Sequence, residues 1–70
     1  MKGCLIGCGY FGKIQLEGWR RVTGARVEAV CDTDRTRAYV AAAEYDARDY
    51  EDVARMLEKE NPDFVDIATR

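Results

Sequence analysis

The feature that most constrains the fold is a glycine-rich turn near the start of the chain, Gly7-Cys8-Gly9-Tyr10-Phe11-Gly12. It follows a short apolar run over residues 3–6, which is typical of a strand covered on both faces, and it precedes a stretch with helical periodicity. In a G-x-G-x-x-G turn the first glycine makes the tight bend, the second lets a phosphate group approach the backbone, and the third lets the helix pack on the strand. The turn therefore predicts an anion site at the start of the first helix.

The first helix is predicted from Phe11 onward. Apolar or small residues recur at helical spacing, which predicts a face turned to the core with the ring of Phe11 inside it. The members of this face are Phe11, Ile14, Gly18 and Val22. Gly24 is expected to end the helix in a left-handed conformation.

The middle of the chain predicts a second strand, a second helix and a brief third strand. The strand covers Arg26–Cys31, where β-branched and apolar residues predominate. Thr33 or Asp34 caps the helix, which runs through positions 37, 38, 41 and 42. The third strand is expected near residues 45–47.

The last part of the chain repeats the pattern. Asp49 is expected to cap a helix whose apolar face includes positions 53, 56 and 57, and the helix ends at Asn61-Pro62. A fourth strand follows over Phe64–Ala68. The order β-α-β-α-β-α-β predicts an α/β fold, the first half of a Rossmann-type parallel sheet, with the strands in the order 3-2-1-4.

A carboxylate stands at the end of the second predicted strand. Asp32 follows Gly12 by twenty residues, the place where an acid accepts hydrogen bonds from an adenosine ribose and disfavours a 2′-phosphate. This favours NAD over NADP, although Asp32 also suits a helix cap. Arg35 and Arg37 leave the choice of cofactor open, because either guanidinium is able to reach a 2′-phosphate or stack on adenine, and Arg35 suits a solvated helix face equally well.

Composition narrows the classes of function. Of the 70 residues 47% are hydrophobic and 34% are charged, and the formal net charge is −2, with acids and bases interspersed. This predicts a globular chain with no basic face for nucleic acid, no membrane span and a cytoplasmic location. The cysteines Cys4, Cys8 and Cys31 form no C-x-x-C pair and histidine is absent, so reduced, buried thiols are expected instead of a metal site.

In these motifs the chain resembles the NAD(P)-dependent oxidoreductases typified by glucose-fructose oxidoreductase and inositol 2-dehydrogenase. The resemblance covers the whole chain: GCGYFG, the helix with EGW, ARVEAVCD, DTDRTRA, YEDVARML and NPDFVDIATR, of which the last is the most specific. It implies that residues 1–70 are a partial dinucleotide-binding domain. The catalytic residues and the substrate domain of the parent protein would then lie beyond this chain, and the isolated segment would be inactive.

The same resemblance implies roles for individual residues. Gly7, Gly9, Tyr10, Phe11 and Gly12 would contact the pyrophosphate, Asp32 the ribose, Arg37 the adenine side and Thr69 the middle of the cofactor. Asp66 is the acid nearest the expected nicotinamide, but its position within a strand favours structural pairing. The implied parent is a homo-oligomer that moves hydride between NAD and a sugar, polyol or related hydroxy compound.

Two other functions remain compatible with the residues. One is a non-catalytic regulatory domain in which NAD shifts a conformational equilibrium without reacting. The other is a different Rossmann reductase, of the amino-acid or dihydrodipicolinate type. A Glu-Lys-Pro segment shortly downstream in the parent gene would favour the sugar or polyol enzyme over both.

Overall fold

In the computed structural model, which describes residues 1–68, strands and helices alternate along the chain. The elements are β1 (Lys2–Ile6), α1 (Tyr10–Arg20), β2 (Arg26–Cys31), α2 (Arg35–Tyr45), β3 (Arg48–Tyr50), α3 (Val53–Glu60) and β4 (Phe64–Ile67). The strands form one parallel sheet in the order β3-β2-β1-β4. The predicted Rossmann-type α/β half-fold and its strand order are confirmed.

Each face of the sheet has its own apolar core. Leu5, Cys8, Leu16, Val27, Val30, Ala41 and Ala42 are buried between the sheet and the pair α1 and α2. Cys4, Ala29, Cys31 and Met56 are buried beneath α3 on the other face. A shift in the pairing register of β1 with β2 between Gly3 and Cys4 explains why Val27 and Val30, three residues apart, share a face.

Helix α1 packs through a different face from the one its spacing predicts. Its buried residues are Gly12 and Leu16, whereas Phe11 and Ile14 are 49% and 52% exposed, and Gly18 and Val22 are exposed as well. The cause is Gly12, where a Cβ atom would overlap the carbonyl oxygen of Gly7. This close contact turns the glycine side of the helix to the sheet, so the prediction that the Phe11 ring lies in the core is wrong.

The end of α1 also differs from the prediction. The helix ends at Arg20, with Arg21 as its C-cap, three residues before Gly24. Gly24 does adopt a left-handed conformation, with φ of 86°, but it bends the loop that leads into β2.

The boundaries around β3 are shifted from their predicted places. Helix α2 continues to Tyr45 and ends on Asp46, which is left-handed with φ of 54°, so residues 45–47 do not form a strand. Strand β3 follows at Arg48–Tyr50. Asp52, not Asp49, caps α3, because its side chain accepts a hydrogen bond from the N–H of Ala54 at 3.0 Å. The predicted helix end is confirmed, with Asn61 as the C-cap.

A buried acid joins α3 to the far end of the sheet, away from the glycine turn. Glu60 is 5% exposed and accepts two hydrogen bonds from Arg48, at 2.6 and 2.7 Å, and one from the Tyr50 hydroxyl at 2.6 Å. Lys2 lies 3.2 Å from the same carboxylate. Chiefly through the Arg48 hydrogen bonds, these partners lower the pKa of Glu60 to about 2. The cluster therefore anchors the end of α3 to β1 and β3.

Strand β4 carries a second acid with structural partners. Asp66 accepts hydrogen bonds from the indole N–H of Trp19 at 2.7 Å and from the amide of Gln15 at 3.1 Å. The expected structural pairing of Asp66 is thus observed, and it ties β4 to α1. Within residues 1–68, no helix has both the length and the apolar character that a membrane crossing requires.

Candidate cofactor-binding site

An open cleft of about 760 Å³ lies at the carboxyl ends of β1 and β2. It is lined by Ile6–Phe11, Lys13, Cys31–Thr33, Arg37, Glu51, Val53 and Ala68. These include six of the predicted contacts: Gly7, Gly9, Tyr10, Phe11, Asp32 and Arg37. Gly12 does not line the cleft, since it lies against Gly7, and Thr69 lies outside the described residues.

The three glycines of the turn meet different requirements. Gly7 has a φ of 98°, which disfavours other residues, and its N–H donates to the Cys31 carbonyl at 2.8 Å. Gly12 leaves no room for a Cβ atom. At Gly9, by contrast, φ is −80° and the nearest atom to a Cβ would be an Arg37 nitrogen at 3.7 Å, an ordinary contact. Packing among residues 1–68 does not require glycine at Gly9, so its open surface fits close approach by a ligand.

Within residues 1–68, the start of α1 has no capping side chain. Gly9 is the N-cap and makes no side-chain capping bond, and the first turn contains no acid. The first N–H groups of a helix have no acceptor within the helix and lie at the positive end of its dipole. An anionic group such as a pyrophosphate therefore fits at this point without a basic side chain.

Asp32 is held in place by two backbone N–H groups. One carboxylate oxygen accepts the N–H of Cys8 at 2.9 Å, and the other accepts the N–H of Asp34 at 2.8 Å. Each oxygen retains a further lone pair, which suits it to accept a hydroxyl donor. The cap of α2 is Asp34, so capping that helix is not the role of Asp32.

The two arginines after Asp32 lie in different places. Arg37 lines the cleft near Gly9 and lies 3.7 Å from the Asp34 carboxylate. Arg35 lies outside the cleft and donates two hydrogen bonds to Glu51, at 2.6 and 3.1 Å. This contact lowers the pKa of Glu51 below its ordinary value.

The cysteines are buried, unpaired thiols, as predicted. Burial, reinforced by the charge of Asp32, raises the pKa of Cys8 to about 12, and burial likewise raises the pKa of Cys4 and Cys31. The Cys8 thiol lies 3.6 Å from the Cys31 carbonyl oxygen, to which it donates. Cys8 and Cys31 line the cleft, and their raised pKa values favour the neutral thiol there.

Sequence reasoning did not identify Glu51 as a cleft residue. Its position follows from β3, whose carboxyl end precedes it and lies beside that of β2. The prediction placed β3 three residues too early, which hid this relation. The only feature of the sequence that points to Glu51 is Arg35, a cation near the site whose acidic partner the sequence does not identify.

Comparison with known proteins identifies the family. The family model described as an oxidoreductase family with an NAD-binding Rossmann fold matches residues 1–70. The chain belongs to this family. The predicted resemblance is confirmed, as is NAD as the cofactor that the family binds.

Individual relatives agree with this assignment. A D-apiose dehydrogenase from Paraburkholderia graminis is 48% identical over 69 residues, which are 97% of this chain and 18% of the relative. A solved oxidoreductase from Agrobacterium radiobacter, in complex with NAD⁺, L-tartaric acid and magnesium, is 41% identical with a TM-score of 0.93 over 100% of this chain and 21% of that one. A myo-inositol dehydrogenase from Lactobacillus casei, in complex with NAD(H) and myo-inositol, is 29% identical with a TM-score of 0.88, over 99% of this chain and 21% of that one. The chain thus spans about a fifth of the length of these oxidoreductase-family relatives.

Proposed function

We propose that this chain forms the NAD-binding part of an oxidoreductase that moves hydride between NAD and a carbinol carbon of a sugar, polyol or related hydroxy compound. The observation that carries the proposal is the uncapped start of α1 beside the backbone-held carboxylate of Asp32. The first element suits a pyrophosphate and the second suits a ribose, and both line one cleft. The printed names of the relatives, apiose and inositol dehydrogenases, support the substrate class.

Each residue of the site has a role in this proposal. Backbone N–H groups from Gly9 to Gly12, including those of Tyr10 and Phe11, hold the pyrophosphate, while Gly7 and Gly12 shape the turn. Asp32 accepts the ribose hydroxyls, Arg37 borders the adenine and Thr69 contacts the middle of the cofactor. NAD, when bound, supplies the hydride acceptor. The residues of the cleft bind and orient NAD and disfavour a phosphorylated ribose.

The remaining parts of the reaction are assigned to the rest of the full-length protein. Oxidation of the carbinol sends hydride to NAD and the hydroxyl proton to a base, and Asp66, the acid nearest the expected nicotinamide, is already bonded to Trp19 and Gln15. We propose that residues 1–70 are a partial dinucleotide-binding domain and that substrate and proton-transfer residues lie elsewhere. The length of the relatives supports this division. Reduced, buried cysteines support work in the cytoplasm, and a homo-oligomer is proposed from the family resemblance.

The test uses the full-length protein with NAD or NADP and a panel that includes D-apiose, myo-inositol and related polyols. Absorbance reports the reduced cofactor, and titration calorimetry reports cofactor binding. NAD-dependent turnover of a sugar or polyol is the expected result. Tight NAD binding without turnover of any panel member would favour the regulatory domain, and absence of NAD binding would refute the proposal.

A further inference from the structure

Three features near Asp32 would each attract a 2′-phosphate if they were free. They are the start of α2 and the guanidinium groups of Arg35 and Arg37. In the structure each one is engaged by an acid of the chain. The Asp34 side chain accepts the N–H groups of Thr36 and Arg37, at 3.0 and 3.2 Å, and it also lies 3.7 Å from the Arg37 guanidinium.

Arg35 is engaged from a separate element. Glu51, in the short connection between β3 and α3, meets its guanidinium through both carboxylate oxygens at 2.6 and 3.1 Å. Two parallel N–H···O bonds match the planar fork of arginine and fix its direction. Arg35 borders a neighbouring depression with residues of β3 and α3, whereas Glu51 borders both that depression and the cleft.

We infer that Glu51 is a positioning residue that sets cofactor specificity by holding the guanidinium of Arg35 outside the cleft. The inference rests on the proposed function, because it concerns the same cofactor site. Asp32 alone disfavours a 2′-phosphate, but an arginine three residues later would offset that effect if its guanidinium were free to turn inward. Glu51 keeps this cation occupied, so Arg35 does not offset the charge that Asp32 presents to the NADP phosphate.

The expected effect is modest, since both partners are exposed: the side chain of Arg35 is 79% exposed and that of Glu51 is 47% exposed. Solvent and salt weaken such pairs. A change of about threefold to tenfold in NADP affinity is therefore expected, and it should shrink as the salt concentration rises. Buried ion pairs would give a larger effect that depends little on salt.

The experiment measures NAD and NADP dissociation constants for the full-length protein and for Glu51→Gln, at low and high salt. The variant should bind NADP about threefold to tenfold more tightly relative to NAD at low salt. Glu58→Gln is the matched control, because it removes the same charge from α3 outside the cleft lining and should leave the ratio of the two constants unchanged. Adding Arg35→Gln to Glu51→Gln should abolish the gain.

The outcomes separate this inference from the proposed function. If wild type fails to bind NAD, the proposed function is wrong. If wild type binds NAD and Glu51→Gln shows the wild-type ratio of constants, the role of Glu51 is refuted. A gain that persists in the double variant would also refute the inference, because Glu51 would then act without Arg35.

Discussion

Helices α1 and α2 follow neighbouring parallel strands and begin beside the same cleft, yet their starts differ in chemistry. The start of α1 carries a glycine with no capping side chain, and the start of α2 is closed by Asp34, which accepts two of its N–H groups. An anion therefore fits the first helix and meets a carboxylate at the second. In the proposed site this contrast admits the pyrophosphate that both cofactors share and disfavours the phosphate that only NADP carries.

The most severe way to break the contrast is to give α1 the cap that α2 has. Gly9→Asp should lower NAD affinity by about a hundredfold or more, because the new carboxylate competes for the N–H groups and repels the pyrophosphate. Thermal unfolding should be unchanged or slightly shifted upward, since aspartate is a better N-cap than glycine by a few tenths of a kcal/mol. Calorimetric titration and a melting curve on the full-length protein measure both effects.

Gly9→Ala is the matched control for that variant. Its Cβ atom meets only an ordinary contact with Arg37, so the turn keeps its shape. The Cβ atom still obstructs close approach of the pyrophosphate, but it adds no charge, so the loss of NAD affinity should be smaller than for aspartate. Wild-type affinity in Gly9→Asp would show that the pyrophosphate does not bind at the start of α1.

The next largest effect is expected at Asp32, which lies between the two helix starts. Asp32→Ala should cost about 1.5 to 3 kcal/mol of NAD binding, or one to two powers of ten, and should reduce discrimination against NADP. Titration with both cofactors measures this. Identical curves for the variant and wild type would show that Asp32 only braces the turn through Cys8 and Asp34.

A variant far from both helix starts separates stability from specificity. The pKa of Glu60 lies below its ordinary 4.5, at about 2, so its contribution to stability is present above pH 4.5 and lost as the pH falls toward 2. Glu60→Gln should reduce the unfolding free energy at neutral pH by about 1 to 3 kcal/mol and flatten its dependence on pH in that window. Denaturant unfolding over a pH series tests this prediction. The same dependence of the unfolding free energy on pH in the variant and in wild type, between pH 4.5 and 2, would contradict it. The ratio of the NAD and NADP dissociation constants should stay as in wild type.

The smallest effect is expected when the α2 cap is removed. Asp34→Ala should cost about 1 kcal/mol of unfolding free energy through the lost cap, and it should raise NADP affinity a few-fold by opening the helix start. Asp52→Ala removes the corresponding cap of α3 and serves as the control. Equal NADP binding by both variants would mean that the α2 start plays no part in discrimination.

The architecture was predictable because its signals are local. The glycine spacing, the β-branched run of β2 and the acid after it define the first β-α-β unit without reference to distant residues. The wrong face of α1 shows where local periodicity fails. Phe11 and Ile14 follow the helical repeat, but the contact of Gly12 with Gly7 decides which side meets the sheet.

The position of β3 and the partners of Glu60 and Glu51 depend on tertiary contacts, which local sequence patterns do not predict. Strand β3 is the short segment Arg48-Asp49-Tyr50, which lacks an apolar run and, among residues 1–68, pairs with β2 alone, so no periodicity fixes its position. Glu60 resembles any acid near a helix end, and its burial depends on Arg48, Tyr50 and Lys2 from other elements. Glu51 is similar, because only the fold brings it to Arg35.

A crystal structure of the full-length protein with NAD tests the central claim most directly. The account predicts pyrophosphate oxygens within hydrogen-bonding distance of backbone N–H groups between Gly9 and Gly12, adenosine ribose hydroxyls on Asp32, and the α2 start still capped by Asp34. A pyrophosphate bound away from the start of α1, or a ribose that does not contact Asp32, would contradict it.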